Sequence, residues 1–185
     1  ARFIEIPAGP DGLIDQDKLK EAMTDEVAAI ALQQPNYLGL FENAKEINDL
    51  AHENDALGIM VVNPATLGVM ATPADQGADI AVGDGQPFGM PLSFGGPYLG
   101  FMATTQKLTR QLPGRIVGQT TDTEGRRVFV LTLQAREQHI RREKASSNLC
   151  TNQALCAMRM QCFLSAIGPD GLERMGQLSY YSAHR

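Results

Sequence analysis

Apolar residues along this chain follow two rhythms. Short runs that are apolar at nearly every position alternate with longer stretches where apolar residues recur every three or four positions. Phe3, Ile4 and Ile6 predict a first strand, stopped by Pro7. The turn "AGPDG" leads to Asp15, a suitable N-cap for the helix "QDKLKEAM". "VAAIALQQ" (Val27 to Gln34) predicts a buried strand ending at Pro35. A helix follows from about Glu42 to Asn54, with Phe41, Ala44, Ile47, Leu50 and Ala51 on one face. "ALGIMVV" (Ala56 to Val62), broken by Asn63-Pro64, and "ADIAVG" (Ala78 to Gly83) supply two more strands. Strands apolar on both faces, separated by amphipathic helices, predict an α/β fold with a parallel sheet covered on both sides. Ligands of such sheets bind beyond the carboxyl ends of the strands. The loops of interest are therefore "QQPN", "VNPATLG" and the glycine-rich "GDGQPFGMPLSFGGP".

The second half is less regular. "YLGFMAT" predicts a strand, Gln106 to Gln111 a short helix, "PGRIVG" a turn, and the alternating "RRVFVLTL" a hairpin arm at the sheet edge. Four basic and two acidic side chains crowd Arg136 to Lys144. Beyond them an apolar helix is predicted from Thr151 to about Ile167, its core face formed by Leu155, Met158, Cys162 and Ile167. "GPDG" breaks it, and a last helix starts near Leu172.

Composition narrows the function classes. The formal net charge of −5 over 185 residues argues against a nucleic-acid footprint. No apolar run approaches the roughly 18 residues that span a membrane. Cys150, Cys156 and Cys162 form no CxxC pair, and each six-residue step turns about 240° around a helix, so they do not converge on a metal. A reducing compartment fits them best. The chain opens on "ARFIEIP" without an initiator Met, and we read it as a fragment.

Residues 83–97 hold five glycines and three prolines but no Lys, His, Cys or Arg. Gly83, Gly85 and Gly89 give GxGxxxG, one residue off the dinucleotide fingerprint, and Pro87 and Pro91 prevent the uninterrupted helix that fingerprint needs. His52, His139 and His184 share no metal spacing, and Ser93 lacks a nucleophile context. Ser146, Ser147, Asn148, Thr151 and Asn152 precede an apolar helix. Plain N-capping is the reading these residues favour, and a phosphate site at that helix N-terminus is the alternative.

Together "RFIEIPAGPDGLIDQDKLKEAM", "QQPN", "GADIAVGDGQPFGMPLSFGGPYLGF", "LPGRIVG" and above all "REQHIRREKASSNLCTNQAL" resemble the glycine-cleavage P-protein family, glycine dehydrogenase (decarboxylating). "LSFGGPYLGF" is most similar to subunit 1, the α subunit of the two-subunit bacterial form; the N-terminal half of the single-chain form is the near alternative. The resemblance implies that residues 1–185 are part of the large domain of a fold-type I pyridoxal-phosphate enzyme, without the N-terminal arm and the small C-terminal domain. It implies two homologous halves or subunits, of which only subunit 2 (β) carries the lysine that holds pyridoxal phosphate. Laid over this chain, that lysine falls on Gln86, so no catalytic residue is expected here. Asn63 stands near the position of the Asp that partners the cofactor's ring nitrogen.

The implied reaction is decarboxylation of glycine, with transfer of the aminomethyl group to the lipoyl arm of the H-protein. Ser146, Ser147 and Asn148 are carried over as contacts toward the partner's cofactor, and His139, Arg141, Arg142 and Thr151 as partner-interface residues. No metal, nucleic acid or membrane partner is implied, and a bacterial cytoplasmic location is. Two other readings stand beside this one. One is a pure assembly module whose loop is filled by Phe88, Met90 and Phe94; the other is an independent enzyme using another of its lysines.

Overall fold

The computed structural model describes residues 2–114, 116–132, 137–145 and 153–183. It divides into two compact units, one of Ala1–Ala103 with Gln153–Arg185, the other Thr104–Asn152.

The first unit is built on strands β1 (Ala29–Gln34), β2 (Leu57–Val62), β3 (Ile80–Asp84) and β4 (Gly100–Thr104), in that spatial order. β1 pairs in parallel with β2, in register from Ala29 opposite Leu57 to Gln34 opposite Val62, and β2 pairs in parallel with β3. Helix α1 (Gln16–Ala22) starts as its sequence predicts: the Asp15 carboxylate accepts hydrogen bonds from the Asp17 and Lys18 N–H groups. Helix α2 (Ala44–Glu53) contributes Ala44, Ile47 and Ala51 to a core shared with Leu19, Ile30, Leu32, Met60 and Val62. Phe41, expected on that face, is 44% exposed because it precedes the first turn of α2.

Alternate residues of β1 and β2 sit on one packed face. On the opposite face Ala31, Gln33 and Val61 are exposed, so in this chain the sheet is not covered on both sides as its sequence predicts. No strand forms at Phe3 to Ile6 either. Phe3 is 95% exposed, Ile6 alone packs against the core, and the only pairing nearby is an isolated antiparallel bridge from Ala8 to Ile14. An alternating segment needs a sheet edge to pair with before it becomes a strand, and among the described residues Phe3 to Ile6 pairs with none.

Helix α4 (Ala154–Ala183) belongs to the same unit and kinks at Gly168 (φ 62°), followed by Pro169. The break falls where "GPDG" predicts it. The packed face is shifted from the expected one. Leu155 and Met158 are 80% and 65% exposed and Cys162 is exposed, whereas Cys156, Met160, Phe163, Leu164 and Ile167 are partly buried.

The second unit contains the antiparallel pair β5 (Ile116–Thr121) and β6 (Arg127–Thr132). The hairpin arm is thus present, in a two-stranded sheet of its own rather than at the edge of the four-stranded one, and Ile116 to Gly118 is strand rather than turn. Asp122 closes the hairpin: its carboxylate accepts from the Glu124 N–H, the Arg126 N–H and Arg126 Nε at 2.8–2.9 Å. The Arg126 side chain first, and the Arg126 backbone N–H next, hold this carboxyl below its ordinary range. Helix α3 (Gln138–Arg141) covers part of the basic segment. No helix of the described residues is long and apolar enough to cross a membrane.

Candidate functional site

Three parallel strands end side by side, and their last residues form a cleft. Gln33 and Pro35 come from the end of β1, Val61, Val62, Asn63 and Pro64 from β2, and Gly83, Asp84, Gln86 and Pro87 from β3, with Tyr98 closing one side. Its volume is about 480 Å³. The three loops singled out in the sequence thus meet at one place.

Each loop is held by its own hydrogen bonds. At β1, the Gln34 side chain is 2% exposed and pairs with one backbone residue like a neighbouring strand: its Oε1 accepts from the Glu42 N–H (2.9 Å) and its Nε2 donates to the Glu42 carbonyl (3.2 Å). Asn36 then shapes the exposed turn. Its Oδ1 accepts from the Leu38 and Leu40 N–H groups, and its Nδ2 donates to the Gly12 carbonyl and to Glu42 Oε1. At β2, Asn63 caps the following 3-10 turn, its Oδ1 accepting from the Ala65 N–H at 3.1 Å. At β3, Asp84 Oδ1 accepts from the Gln86 N–H (2.8 Å) and the Leu99 N–H (3.4 Å), tying the start of the glycine-rich loop to its end. The Gln86 amide is turned along the loop, its Nε2 donating to the Met90 carbonyl at 2.7 Å.

The glycines have a packing explanation. A Cβ at Gly85 would come within 2.9 Å of Met160 Sδ, and one at Gly89 within 2.9 Å of Phe163 Cβ. At Gly83 it would strike the Phe101 ring at 2.6 Å and the Val62 carbonyl. The GxGxxxG spacing therefore lets β4 and helix α4 lie directly on the loop. Phe88 and Met90 are both buried, Phe88 with its ring stacked 6.3 Å from that of Phe163. The cleft itself is not filled by them. Phe94, the third residue of the predicted apolar plug, is fully exposed.

Among the described residues the lining holds no lysine, arginine or histidine. Lys45 pairs with Asp49 at 2.7 Å on α2, Lys18 and Lys20 lie on α1, and Lys107 and Lys144 lie in the other unit. Covalently held pyridoxal phosphate does not fit this lining. An imine needs a primary amine, and the lining offers amides, one carboxylate and one phenol. The phosphate would meet no cation there. Of the predicted partner-facing residues, His139, Arg141 and Arg142 are exposed on α3 and the turn after it, with His139 Nδ1 3.3 Å from Glu137 Oε2. Ser146, Ser147, Asn148 and Thr151 lie outside the described residues. Sequence reasoning did not select Asp84 or Tyr98 as cleft residues; an Asp closing a strand three residues ahead of a proline was the available signal for the first.

Residues 9–185 match the sequence profile of the glycine cleavage system P-protein. The probable glycine dehydrogenase (decarboxylating) subunit 1 of Desulfitobacterium hafniense is 52% identical over 182 residues, which is 98% of this chain and 41% of that protein. A crystal structure of glycine decarboxylase (P-protein) of the glycine cleavage system, in inhibitor-bound form, superposes with a TM-score of 0.78 at 52% identity. The match covers 81% of this chain and 34% of that one. A NifS-like protein from Rickettsia africae shares the fold, with a TM-score of 0.56 at 16% identity over 91% of this chain and 40% of its own. The chain thus spans about two fifths of the curated relative it matches and carries part of a fold-type I pyridoxal-phosphate enzyme architecture. With its profile matched from Gly9 to the last residue, the chain belongs to the glycine cleavage system P-protein family.

Proposed function

We propose that this chain is the large-domain part of the subunit of the P-protein that lacks the Schiff-base lysine, and that it supports assembly and one wall of a shared active site. The whole enzyme, in this reading, decarboxylates glycine and passes the aminomethyl group to the lipoyl arm of the H-protein in the bacterial cytoplasm. Pyridoxal phosphate is held by subunit 2. The observation that carries the proposal is the cleft at the carboxyl ends of β1, β2 and β3. It sits where α/β sheets bind ligands, yet among the described residues Gln86 stands in its lining and no amine does. An amide nitrogen is delocalised into its carbonyl and cannot act as the amine nucleophile.

The cleft's openness favours a shared site over a pure assembly module. Phe88 and Met90 are buried outside the cleft lining and Phe94 is in solvent, leaving the polar groups of Gln33, Asn63, Asp84, Gln86 and Tyr98 along the cleft. Ser146, Ser147 and Asn148 are proposed to reach toward the partner's cofactor, and His139, Arg141, Arg142 and Thr151 to meet the partner chain.

Reconstitution tests the proposal. The complete subunit carrying this chain should copurify with the lysine-bearing subunit, and glycine–bicarbonate exchange in the presence of H-protein should need both. Exchange by this subunit alone, or full exchange by its partner alone, contradicts it. Asn148→Ala should weaken cofactor retention by the pair; unchanged retention removes that residue's role.

A further inference from the structure

Helix α4 supplies none of the cleft's lining residues, yet it lies against two of the loops that do. Its first half meets the glycine-rich loop: Gly85 and Gly89 leave room for Met160 and Phe163, and Phe163 stacks on Phe88. Its second half meets the 3-10 turn Pro64–Gly68 that follows Asn63. There the approach is backbone against backbone. A Cβ at Gly68 would strike the Leu172 carbonyl, whose carbon lies 2.8 Å away, and come within 3.0 Å of Glu173 Cα. One at Gly176, which is buried, would come within 3.2 Å of the Ala65 carbonyl oxygen and 3.0 Å of Val69 Cγ1. Asn63 and Pro64 line the cleft, and Asn63 caps this same turn by accepting from the Ala65 N–H.

Between the two seats lies the kink. Gly168 has φ 62° and ψ −172°, a conformation essentially closed to residues with a Cβ. This glycine is present for its conformation rather than for space. A Cβ there would meet no side chain and no other element within 4 Å, unlike one at Gly68, Gly85, Gly89 or Gly176. Pro169 adds a second break, because it lacks the N–H that would continue the helical ladder. An unbroken helix keeps one direction over the roughly 13 Å from Phe163 to Leu172. The kink gives each half a direction of its own.

We propose that Gly168 is a positioning residue of the cleft: its kink seats the two halves of α4 on two loops at once and so fixes Asn63 relative to Asp84 and Gln86. The parallel pairing of β2 with β3 sets where the two loops leave the sheet. Helix α4 sets where they stand beyond it. Straightened, the helix keeps only one seat. The stack of Phe163 on Phe88 holds the first half, so the second half lifts from the turn after Asn63. The inference concerns this chain's own cleft and stands whether or not a partner shares it.

Hydrogen exchange of the intact enzyme, read by mass spectrometry, tests it. The double variant Gly168→Ala/Pro169→Ala replaces the break with two strong helix formers, so α4 runs straight without melting. Peptides of α4 should keep wild-type protection or gain it. The amides of Ala65, Thr66, Val69 and Met70, which all donate within the turn, should exchange about tenfold faster or more. Residues 83–97 should stay as protected as in the wild type. Gly176→Leu, which keeps the kink but fills the second seat, should release the same four amides. Unchanged exchange of these amides in either variant overturns the inference. Loss of protection in α4 itself in the double variant also overturns it, because the kink then serves the helix and not the cleft. If the four amides are released while glycine–bicarbonate exchange is unaffected, the positioning role stands and the shared-site reading above fails.

Discussion

Gln34→Ala examines how the cleft is built. The side chain is 2% exposed and makes two hydrogen bonds to the backbone of Glu42, at 2.9 and 3.2 Å. Each such bond contributes about 0.5–1.5 kcal/mol net, giving about 1–3 kcal/mol for the two. Truncation also removes a buried methylene, about 0.8 kcal/mol. The expected loss is about 2–4 kcal/mol, which for a chain of this size lowers the melting temperature by roughly 5–15 °C. Urea unfolding followed by circular dichroism measures it. Gln34→Glu refines the reasoning, since an ionised carboxylate still accepts from the Glu42 N–H but faces the Glu42 carbonyl with a second acceptor. Burial and that repulsion raise the new carboxyl's pKa in the folded state, so the variant should gain stability as pH falls through the raised value. A Gln34→Ala loss below about 0.5 kcal/mol, or a Gln34→Glu variant indifferent to pH, would refute the pairing as the element that fixes this loop.

Phe88→Ala should cost about 3–5 kcal/mol, because the ring is 4% exposed and stacked on Phe163; the same unfolding assay reads it. Gly89→Ala should also destabilise, since a Cβ would meet Phe163 at 2.9 Å and φ is +83°, and a neutral result would mean that α4 does not rest on the loop. The depressed Asp122 pKa makes its contribution to the β5–β6 hairpin fully present above the ordinary Asp value near 3.9. That contribution is lost as pH falls through the lowered folded value. Carboxyl-carbon NMR titration should place Asp122 below the ordinary range, and Arg126→Ala should move it part of the way back, the backbone N–H groups of residues 124 and 126 still donating to it.

Most of the sheet was legible because its strands are continuous apolar runs ended by proline or glycine. Asn63 and Pro64 end β2 where the sequence places the break, and Asp15 caps α1 as its position predicts. What failed was whatever depends on a neighbour. Phe3 to Ile6 alternates like a strand, yet alternation does not supply an edge to pair with. The phase of α4 was misjudged because Leu155, Met158 and Cys162 are as apolar as Cys156, Met160 and Phe163. Gly85 and Gly89 settle it, because they open the space that Met160 and Phe163 occupy. The cleft's position followed from sheet topology, whereas Tyr98 closes it from fourteen residues beyond the end of β3 and only the folded loop brings it back.

The glycine-rich loop, residues 83–97, carries no lysine. Gln86→Lys alone, with Asn63 unchanged, should form no borohydride-reducible adduct with pyridoxal phosphate in this subunit. The central claim is tested most directly on the intact wild-type enzyme. After reduction with tritiated borohydride and proteolysis, the label should lie on one lysine of subunit 2 and be absent from every peptide of this chain, residues 83–97 included. A labelled lysine anywhere in this chain would contradict the account.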